Sequence, residues 1–212
     1  MQIGADEAGK GPVLGPMVAA AVRAPASTLP AGVDDSKRLA PARRRELADQ
    51  IRSADAVSVG VAVISPTRID DPETDMNGLT VAGQVEAIAD VAHDDDSVVV
   101  DAGDVDAERF GRRVAAGVDA AVTVRSEHRA DENHAHVAAA SVVAKVVRDS
   151  RVEALAETYG DLGSGYPSDE QTRTFLAAYV RDHGELPGCA RASWSTCADV
   201  LAAAEQSSLS EF

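Results

Sequence analysis

The chain has 212 residues and a formal net charge of -15, with 35 acidic side chains against 20 lysines and arginines. No apolar run is long enough to span a bilayer and no charged-then-apolar leader opens the chain, so we exclude a membrane or secreted protein and expect a soluble, cytoplasmic monomer. This length suffices for one α/β domain with an appendage, and because hydrophobic residues make up 45% and aromatic residues only 3%, we expect a core built on Val, Ala, Leu and Ile.

The acidic surplus would ordinarily argue against a nucleic-acid-binding protein, since such proteins are usually basic. An acid-rich composition with three lysines against 17 arginines, however, is typical of a protein that works in molar salt, where charge repulsion is screened within about 3 Å. The charge therefore does not identify a partner.

The lysines Lys10, Lys37 and Lys145 stand in segments that suggest functional positions. Cys189 and Cys197 are too few for a disulfide framework, so we expect free thiols.

The hydrophobic patterns predict five strands and five helices in chain order. The strands cover about residues 3–6, 17–22, 57–63, 98–100 and 120–124. The helices cover about residues 42–54, 77–92, 134–159, 168–181 and 194–205. Asn77 is predicted to cap the second helix, and Ser168 with Gln171 is predicted to form a capping box for the fourth. We expect an α/β domain over 1–165, a helical extension of the same unit over 166–205 and a tail over 206–212.

Carboxylates follow two of the predicted strands. Asp6 and Glu7 end the first strand, and Asp101 ends the run Val98–Val100. Functional sites of open α/β sheets gather at such strand ends, and Asp131, just before the long helix, could complete a set of four. Four clustered carboxylates repel one another unless cations neutralise them, which predicts bound Mg²⁺ or Mn²⁺. Paired metals can stabilise the attacking water and the leaving oxygen of a phosphodiester.

A glycine-flanked lysine follows the first two carboxylates directly. Gly9 and Gly11 let the backbone approach a ligand, while Lys10 can meet a phosphate. A metal site beside a phosphate site is typical of phosphodiester chemistry, so this loop carries more weight than the abundance of acids. Most of the 35 acidic residues are expected to be solvated surface groups.

Histidines near Asp131 leave a different metal site open. His128, His134 and His136 lie close to Asp131 in the sequence, and such a group can ligate a transition metal. The pattern is short and nonspecific, so it stands as the alternative to a carboxylate site.

An ordered series of motifs makes the chain resemble the ribonuclease HII family, in its archaeal form and from a halophile. The matching blocks are Asp6–Pro12 with Gly15-Pro16, Asp35–Leu39, Val100-Asp101, His128–Asp131, Ala139–Lys145, Gly163–Asp169 and Ser193-Trp194. They cover about residues 3–196. One block alone would be weak, whereas the series in order is specific.

The resemblance implies a ribonuclease H-like mixed sheet flanked by helices, with a helical C-terminal extension. It implies an endoribonuclease that cleaves RNA in RNA/DNA hybrids and single ribonucleotides embedded in duplex DNA. A two-metal hydrolysis would give 5′-phosphate and 3′-hydroxyl ends, as ribonucleotide excision repair requires. By position, Asp6, Glu7, Asp101 and Asp131 would be the catalytic, metal-binding carboxylates.

The resemblance also implies substrate contacts. Gly9, Lys10 and Gly11 match a substrate-binding loop in which arginine is the more usual central residue, and lysine loses the bidentate geometry. Tyr166 matches a tyrosine that senses the 2′-hydroxyl, the group that distinguishes RNA from DNA. The matching blocks assign further substrate contacts to Lys37, Ser141 and Lys145, although burial of Lys145 against the carboxylates is an equal alternative.

The C-terminal tail resembles the short box by which replication proteins dock on the sliding clamp. Leu209 and Phe212 would fill an apolar pocket on one side of a helical turn, and Gln206 would hydrogen-bond beside it. A frayed terminus is the alternative. For the whole chain, the rival functions are a junction resolvase of the same superfamily and a hybrid-binding adaptor without catalysis.

Overall fold

The computed structural model describes residues 1–33 and 39–209, with the backbone alone for residues 207–209. Lys37 and Phe212 therefore lie outside the described residues, as does the side chain of Leu209. Within the described ranges, no helix combines the length and the apolar content needed to cross a bilayer.

A five-stranded mixed sheet organises the fold. Its strands are β1 (Gln2–Ala8), β2 (Met17–Ala24), β3 (Ser58–Ile64), β4 (Ser97–Asp101) and β5 (Thr123–Glu127). Their order across the sheet is β3-β2-β1-β4-β5. β1 pairs antiparallel with β2 and parallel with β4, and β4 pairs parallel with β5. The parallel pairing of β1 and β4 brings their carboxyl ends to the same edge of the sheet.

Seven α-helices accompany the sheet in the described part of the chain. They are α1 (Pro41–Ser53), α2 (Pro66–Ile69), α3 (Met76–Ala89), α4 (Ala107–Gly117), α5 (Ala135–Tyr159), α6 (Glu170–His183) and α7 (Ser195–Leu209). The predicted mixed α/β architecture with a helical C-terminal part is confirmed, as is the strand that ends on Asp101.

The chain forms two compact units, each assembled from separate segments. Unit 1 comprises Met1–Ala8, Val18–Val63 and Met76–Arg148, and unit 2 comprises Gly9–Met17, Ile64–Asp75 and Asp149–Phe212. The division into residues 1–165, 166–205 and 206–212 stays a prediction, and hydrophobic periodicity alone does not show which distant segments pack together.

Unit 1 contains two apolar layers, one on each face of the sheet. β2 contributes alternate residues to both layers: Val18, Ala20 and Val22 to one, Ala19 and Ala21 to the other. A strand buried on both faces must be apolar throughout, which explains its continuous run of Val and Ala. Side chains of α3 and α4 complete one layer, and side chains of α1 and α5 complete the other.

Unit 2 has a core of its own, centred on Val13, Leu14, Leu162, Leu176 and the two cysteines. Both cysteines are free, as predicted, and both are buried. Burial raises the pKa of each thiol to about 11, so both stay protonated and unreactive at neutral pH.

Three local predictions were wrong. β5 begins at Thr123 instead of Ala120, since Ala120 lies in a bend and the Ala121 N–H donates to Asp94 Oδ1 at 2.9 Å instead of to a neighbouring strand. Helix α3 begins at Met76, so Asn77 lies inside its first turn and is not the cap. Asp169, not Ser168, caps α6, because its longer carboxylate accepts from both the Gln171 N–H and Ser164.

Candidate active site

Three of the four predicted catalytic acids lie at adjoining ends of β1 and β4. Ala5 and Val100 are partners in the parallel pair, so Asp6 and Asp101 follow side by side and Glu7 extends beyond them. Asp131 lies in a short 3₁₀ helix, Ala130–Glu132. The Ala130 N–H donates to Asp101 Oδ1 at 2.8 Å, which places this turn against the end of β4.

Burial and repulsion from neighbouring carboxylates both disfavour the ionised form of Asp6. Asp6 is only 5% exposed. Burial raises its pKa well above the ordinary value, and the negative charges of Glu7 and Asp101 raise it further. A hydrogen bond from Ser141 and the positive charge of Lys145 act in the opposite direction. A partly buried, mutually repelling set of carboxylates has the chemistry that favours a hard divalent cation.

The described residues do not contain a preassembled metal shell. Across residues 1–33 and 39–209, no three Asp, Glu, His or Cys side chains are grouped closely enough to hold a metal ion as they stand. The fit to a cation therefore rests on the donor chemistry and the electrostatics around Asp6. The alternative histidine site does not form, since His136 Nε2 is 3.1 Å from the Ala24 carbonyl and His134 Nε2 is 3.2 Å from Glu127.

Ser141 and Lys145 approach the carboxylates from α5. Both side chains face Asp6, and the Lys145 ammonium donates to Ser141 Oγ. They stand one helical turn apart, which is the spacing that puts two residues on the same face. The small residues that precede them let α5 lie against the sheet, and a Cβ on Gly4 would collide with the His136 backbone.

Gln84 is a member of this site that the sequence did not reveal. It lies on α3, is fully buried, and its Nε2 donates to Glu7 Oε2 at 2.8 Å and to the Asp101 carbonyl at 3.0 Å. One amide thus ties together the ends of β1 and β4. The sequence does show a polar glutamine among the apolar residues of a helix. It does not show what Gln84 binds, because Glu7 and Asp101 lie 77 and 17 positions away.

The glycine–lysine loop and Tyr166 come together in unit 2. A Cβ on Gly11 would lie 3.7 Å from Tyr166 Cε1, so the tyrosine ring flanks this glycine. Gly165 secures the tyrosine loop, because its carbonyl accepts from the Val13 N–H at 2.8 Å. Tyr166 is 42% exposed, which leaves its ring accessible. Gly9 has a φ of +83°, a conformation that strains any other residue.

Arg191 is a second residue that sequence reasoning missed. Its guanidinium is fully buried and donates to the carbonyls of Gly9 at 2.6 Å, Lys10 at 2.9 Å and Gly15 at 3.0 Å. The neighbouring Trp194 donates its indole N–H to the Gly11 carbonyl at 3.4 Å.

Of the predicted tail contacts, Gln206 lies in α7, which continues to Leu209 instead of ending at Glu205.

Comparison with known proteins gives a consistent result. The family model for Ribonuclease HII matches residues 3–197. A relative named Ribonuclease HII from Haloarcula marismortui is 65% identical over 213 residues, covering 100% of both chains. Similar proteins of that name occur in Halobacterium salinarum, another halophilic archaeon, in keeping with the acidic composition.

Solved structures support the same relationship. Ribonuclease H2 from Pyrococcus horikoshii has a TM-score of 0.89 and 35% identity, covering 97% of this chain and 99% of that one. The ribonuclease HII in a complex with PCNA from Archaeoglobus fulgidus has a TM-score of 0.82 and 37% identity, covering 94% and 96%. Bst-RNase HIII in complex with Mn²⁺ has a TM-score of 0.76 and 26% identity, covering 97% and 70%.

Proposed function

Because this chain belongs to the ribonuclease HII family, metal-dependent endoribonucleases that act on RNA in RNA/DNA hybrids, we propose that it also cuts at single ribonucleotides embedded in duplex DNA. Its role would be ribonucleotide excision repair, with 5′-phosphate and 3′-hydroxyl products. The observation that carries this proposal is the placement of Tyr166 beside Gly11. The family match removes the junction resolvase and the inactive adaptor from consideration.

The hydrolytic part of the proposal rests on the acids of unit 1. Asp6, Glu7, Asp101 and Asp131 would hold two Mn²⁺ or Mg²⁺ ions, whose positive charge would offset the repulsion among these acids. The bound ions would activate a water and stabilise the departing 3′-oxygen. Gln84 would fix the orientation of Glu7 through a neutral hydrogen bond that leaves the carboxylate charge intact.

Substrate selection would come from the loop and the tyrosine of unit 2. Gly11 has no side chain, so the sugar of a nucleotide can lie against the backbone next to the Tyr166 ring. The phenol can then hydrogen-bond to a 2′-hydroxyl, which deoxyribose lacks. Lys10 would add a point charge for a phosphate. Lys37 remains a proposed substrate contact.

The test is cleavage of a DNA duplex that contains one ribonucleotide, in Mn²⁺ or Mg²⁺, from low to molar KCl. A cut on the 5′ side of the ribonucleotide, and no cut in the all-DNA duplex, is the expected result. Cleavage of long hybrids alone would keep the nuclease and contradict the proposed substrate.

Tyr166→Phe should reduce kcat/KM on the single-ribonucleotide duplex about tenfold to hundredfold, since one hydrogen bond to the substrate is lost. Its melting temperature should match the wild type, because the hydroxyl belongs to an exposed side chain. Tyr179→Phe is the matched control, since it removes a phenol from an aromatic cluster of the same unit. Equal losses in both variants would contradict the role of Tyr166.

We further propose that the tail binds the replication sliding clamp. Support comes from the relative solved in complex with PCNA and from the spacing of Gln206, Leu209 and Phe212. Deleting residues 206–212, or changing Leu209 and Phe212 together to Ala, should abolish clamp binding in a titration while cleavage of free substrate is unchanged. Ser207→Ala is the control. Retained binding by the double variant would refute this assignment.

A further inference from the structure

We propose that Arg191 is the positioning residue of the substrate loop: its buried guanidinium fixes the peptide planes of Gly9–Gly11 in the orientation that receives a nucleotide. This inference rests on the proposed function, because it explains how the loop beside Tyr166 is held. All of the contacts that support it lie within unit 2.

The first step concerns where the loop's carbonyl oxygens point. Arg191 Nη2 binds the Gly9 carbonyl and Nη1 binds the Lys10 carbonyl, while Trp194 Nε1 binds the Gly11 carbonyl. Three successive carbonyls are thereby turned toward side-chain donors of one segment, of which Arg191 is fully buried. Oxygens in this position cannot face the nucleic acid, where they would repel phosphates.

The second step follows from the planarity of the peptide bond. In a trans peptide the C=O and the next N–H point in opposite directions, and the described chain contains no cis peptide. Because the Gly9 and Lys10 carbonyls point at Arg191, the N–H groups of Lys10 and Gly11 point away from it. Successive backbone N–H groups that share a direction form a concavity suited to anionic oxygens.

The third step is that no other side chain can do the same. Arginine presents its donors in a rigid planar fork, and here Nε, Nη1 and Nη2 each bind a different carbonyl. Lysine has a single nitrogen on a flexible stem and cannot span these oxygens. The guanidinium is also 5.0 Å from the Trp194 ring centroid, a cation–π distance that helps to compensate the buried charge.

The segment that carries Arg191 is itself anchored. The Arg191 N–H donates to the Val13 carbonyl at 2.8 Å. Asp70 accepts from the N–H groups of Ala192 at 2.8 Å and Ser193 at 2.9 Å. The backbone that carries the Arg191 guanidinium is therefore held in place, and the guanidinium in turn holds the conformation of the loop.

The experiment compares Arg191→Lys with Arg173→Lys. Arg173 is an exposed arginine of the same unit that donates to one carbonyl, so its replacement controls for the loss of a guanidinium. On the single-ribonucleotide duplex, Arg191→Lys should raise KM at least about tenfold and change kcat by less than about threefold, because the carboxylates of unit 1 are untouched. Mn²⁺ affinity measured by calorimetry should also stay at the wild-type value.

Trp194 supplies a direct optical readout, since it is the single tryptophan of the chain and contacts the loop. In an Asp101→Asn background, which prevents cutting, its emission should change when the single-ribonucleotide duplex binds. Arg191→Lys should weaken that binding and reduce the preference over an all-DNA duplex at least about tenfold. A folded Arg191→Lys protein with wild-type KM and preference would overturn the inference.

Two further outcomes are separable. If Arg191→Lys does not fold, Trp194→Phe becomes the deciding variant, because it removes the hydrogen bond to the Gly11 carbonyl and keeps an aromatic ring. Its KM should rise about threefold to tenfold, and an unchanged KM would overturn the inference. If the wild type itself fails to prefer the ribonucleotide-containing duplex, the proposed function fails, whatever the variants do.

Discussion

Replacement of Asp101 with Asn is expected to reduce turnover of an RNA/DNA hybrid by about a thousandfold or more, which corresponds to about 4 kcal/mol of lost transition-state stabilisation. Asn retains the shape of the side chain and an oxygen that can accept the Ala130 N–H. It removes the negative charge that a cation requires. Hybrid binding should persist, because the substrate loop belongs to unit 2.

The same variant should not lose stability in the absence of divalent ions. Asp101 raises the pKa of Asp6 by charge repulsion. Replacing the Asp101 carboxylate with a neutral amide therefore removes a repulsive interaction from the folded state. We therefore expect an equal or higher melting temperature than the wild type in chelator. Added Mn²⁺ should stabilise the wild type more than the variant, since a ligand that binds the folded state shifts unfolding by mass action.

Glu108→Gln provides the matched control for Asp101→Asn. It neutralises one carboxylate at the start of α4, where the side chain is 91% exposed. Turnover and the Mn²⁺-induced stabilisation should both match the wild type. If Asp101→Asn retained most of its turnover, Asp101 would have to be removed from the proposed metal site.

The strand-end carboxylates could be predicted because their placement follows from local rules. An apolar run gives a strand, and the residue after it lies at the strand's end, so Asp6 and Asp101 needed only the parallel pairing of β1 and β4 to meet. Asp131 was a candidate from its position before the long helix, and the resemblance to a known family added Tyr166. The structure places Asp131 beside β4 and Tyr166 beside Gly11.

Gln84 and Arg191 could not be predicted in the same way. Gln84 binds Glu7 across 77 positions, and Arg191 binds the loop across 181 and 182 positions. Neither contact leaves a periodic or adjacent pattern in the sequence. Both depend on how distant segments pack, as does the division into two discontinuous units.

The acidic composition gains a physical meaning from the substrate loop. Contacts between cationic side chains and phosphates weaken steeply with salt, because they release condensed counterions. Backbone N–H groups are neutral donors and release no such ions through charge pairing. A loop that presents the N–H groups of Lys10 and Gly11 could therefore hold its substrate in molar salt despite a net charge of -15.

Replacement of Gly4 with Ala is expected to have the largest effect on folding. Gly4 lies in β1 where α5 crosses the sheet, and a Cβ there would be 2.5 Å from the His136 carbonyl oxygen and closer still to the adjoining carbonyl carbon and Val137 nitrogen. These are backbone atoms, so no side-chain rotation can relieve the overlap. Helix α5 would have to move away from the sheet, which opens the core.

We expect Gly4→Ala to lower the free energy of unfolding by at least about 4 kcal/mol and the melting temperature by about 10 °C. The fraction that remains folded should also cleave substrate with a lower kcat, because α5 places Ser141 and Lys145 beside Asp6. Gly11→Ala is the steric control for stability, since its Cβ would meet only an ordinary contact at 3.7 Å. Calorimetric melts of both variants decide the matter: a Gly4→Ala protein as stable as Gly11→Ala would show that α5 does not depend on this close approach to β1.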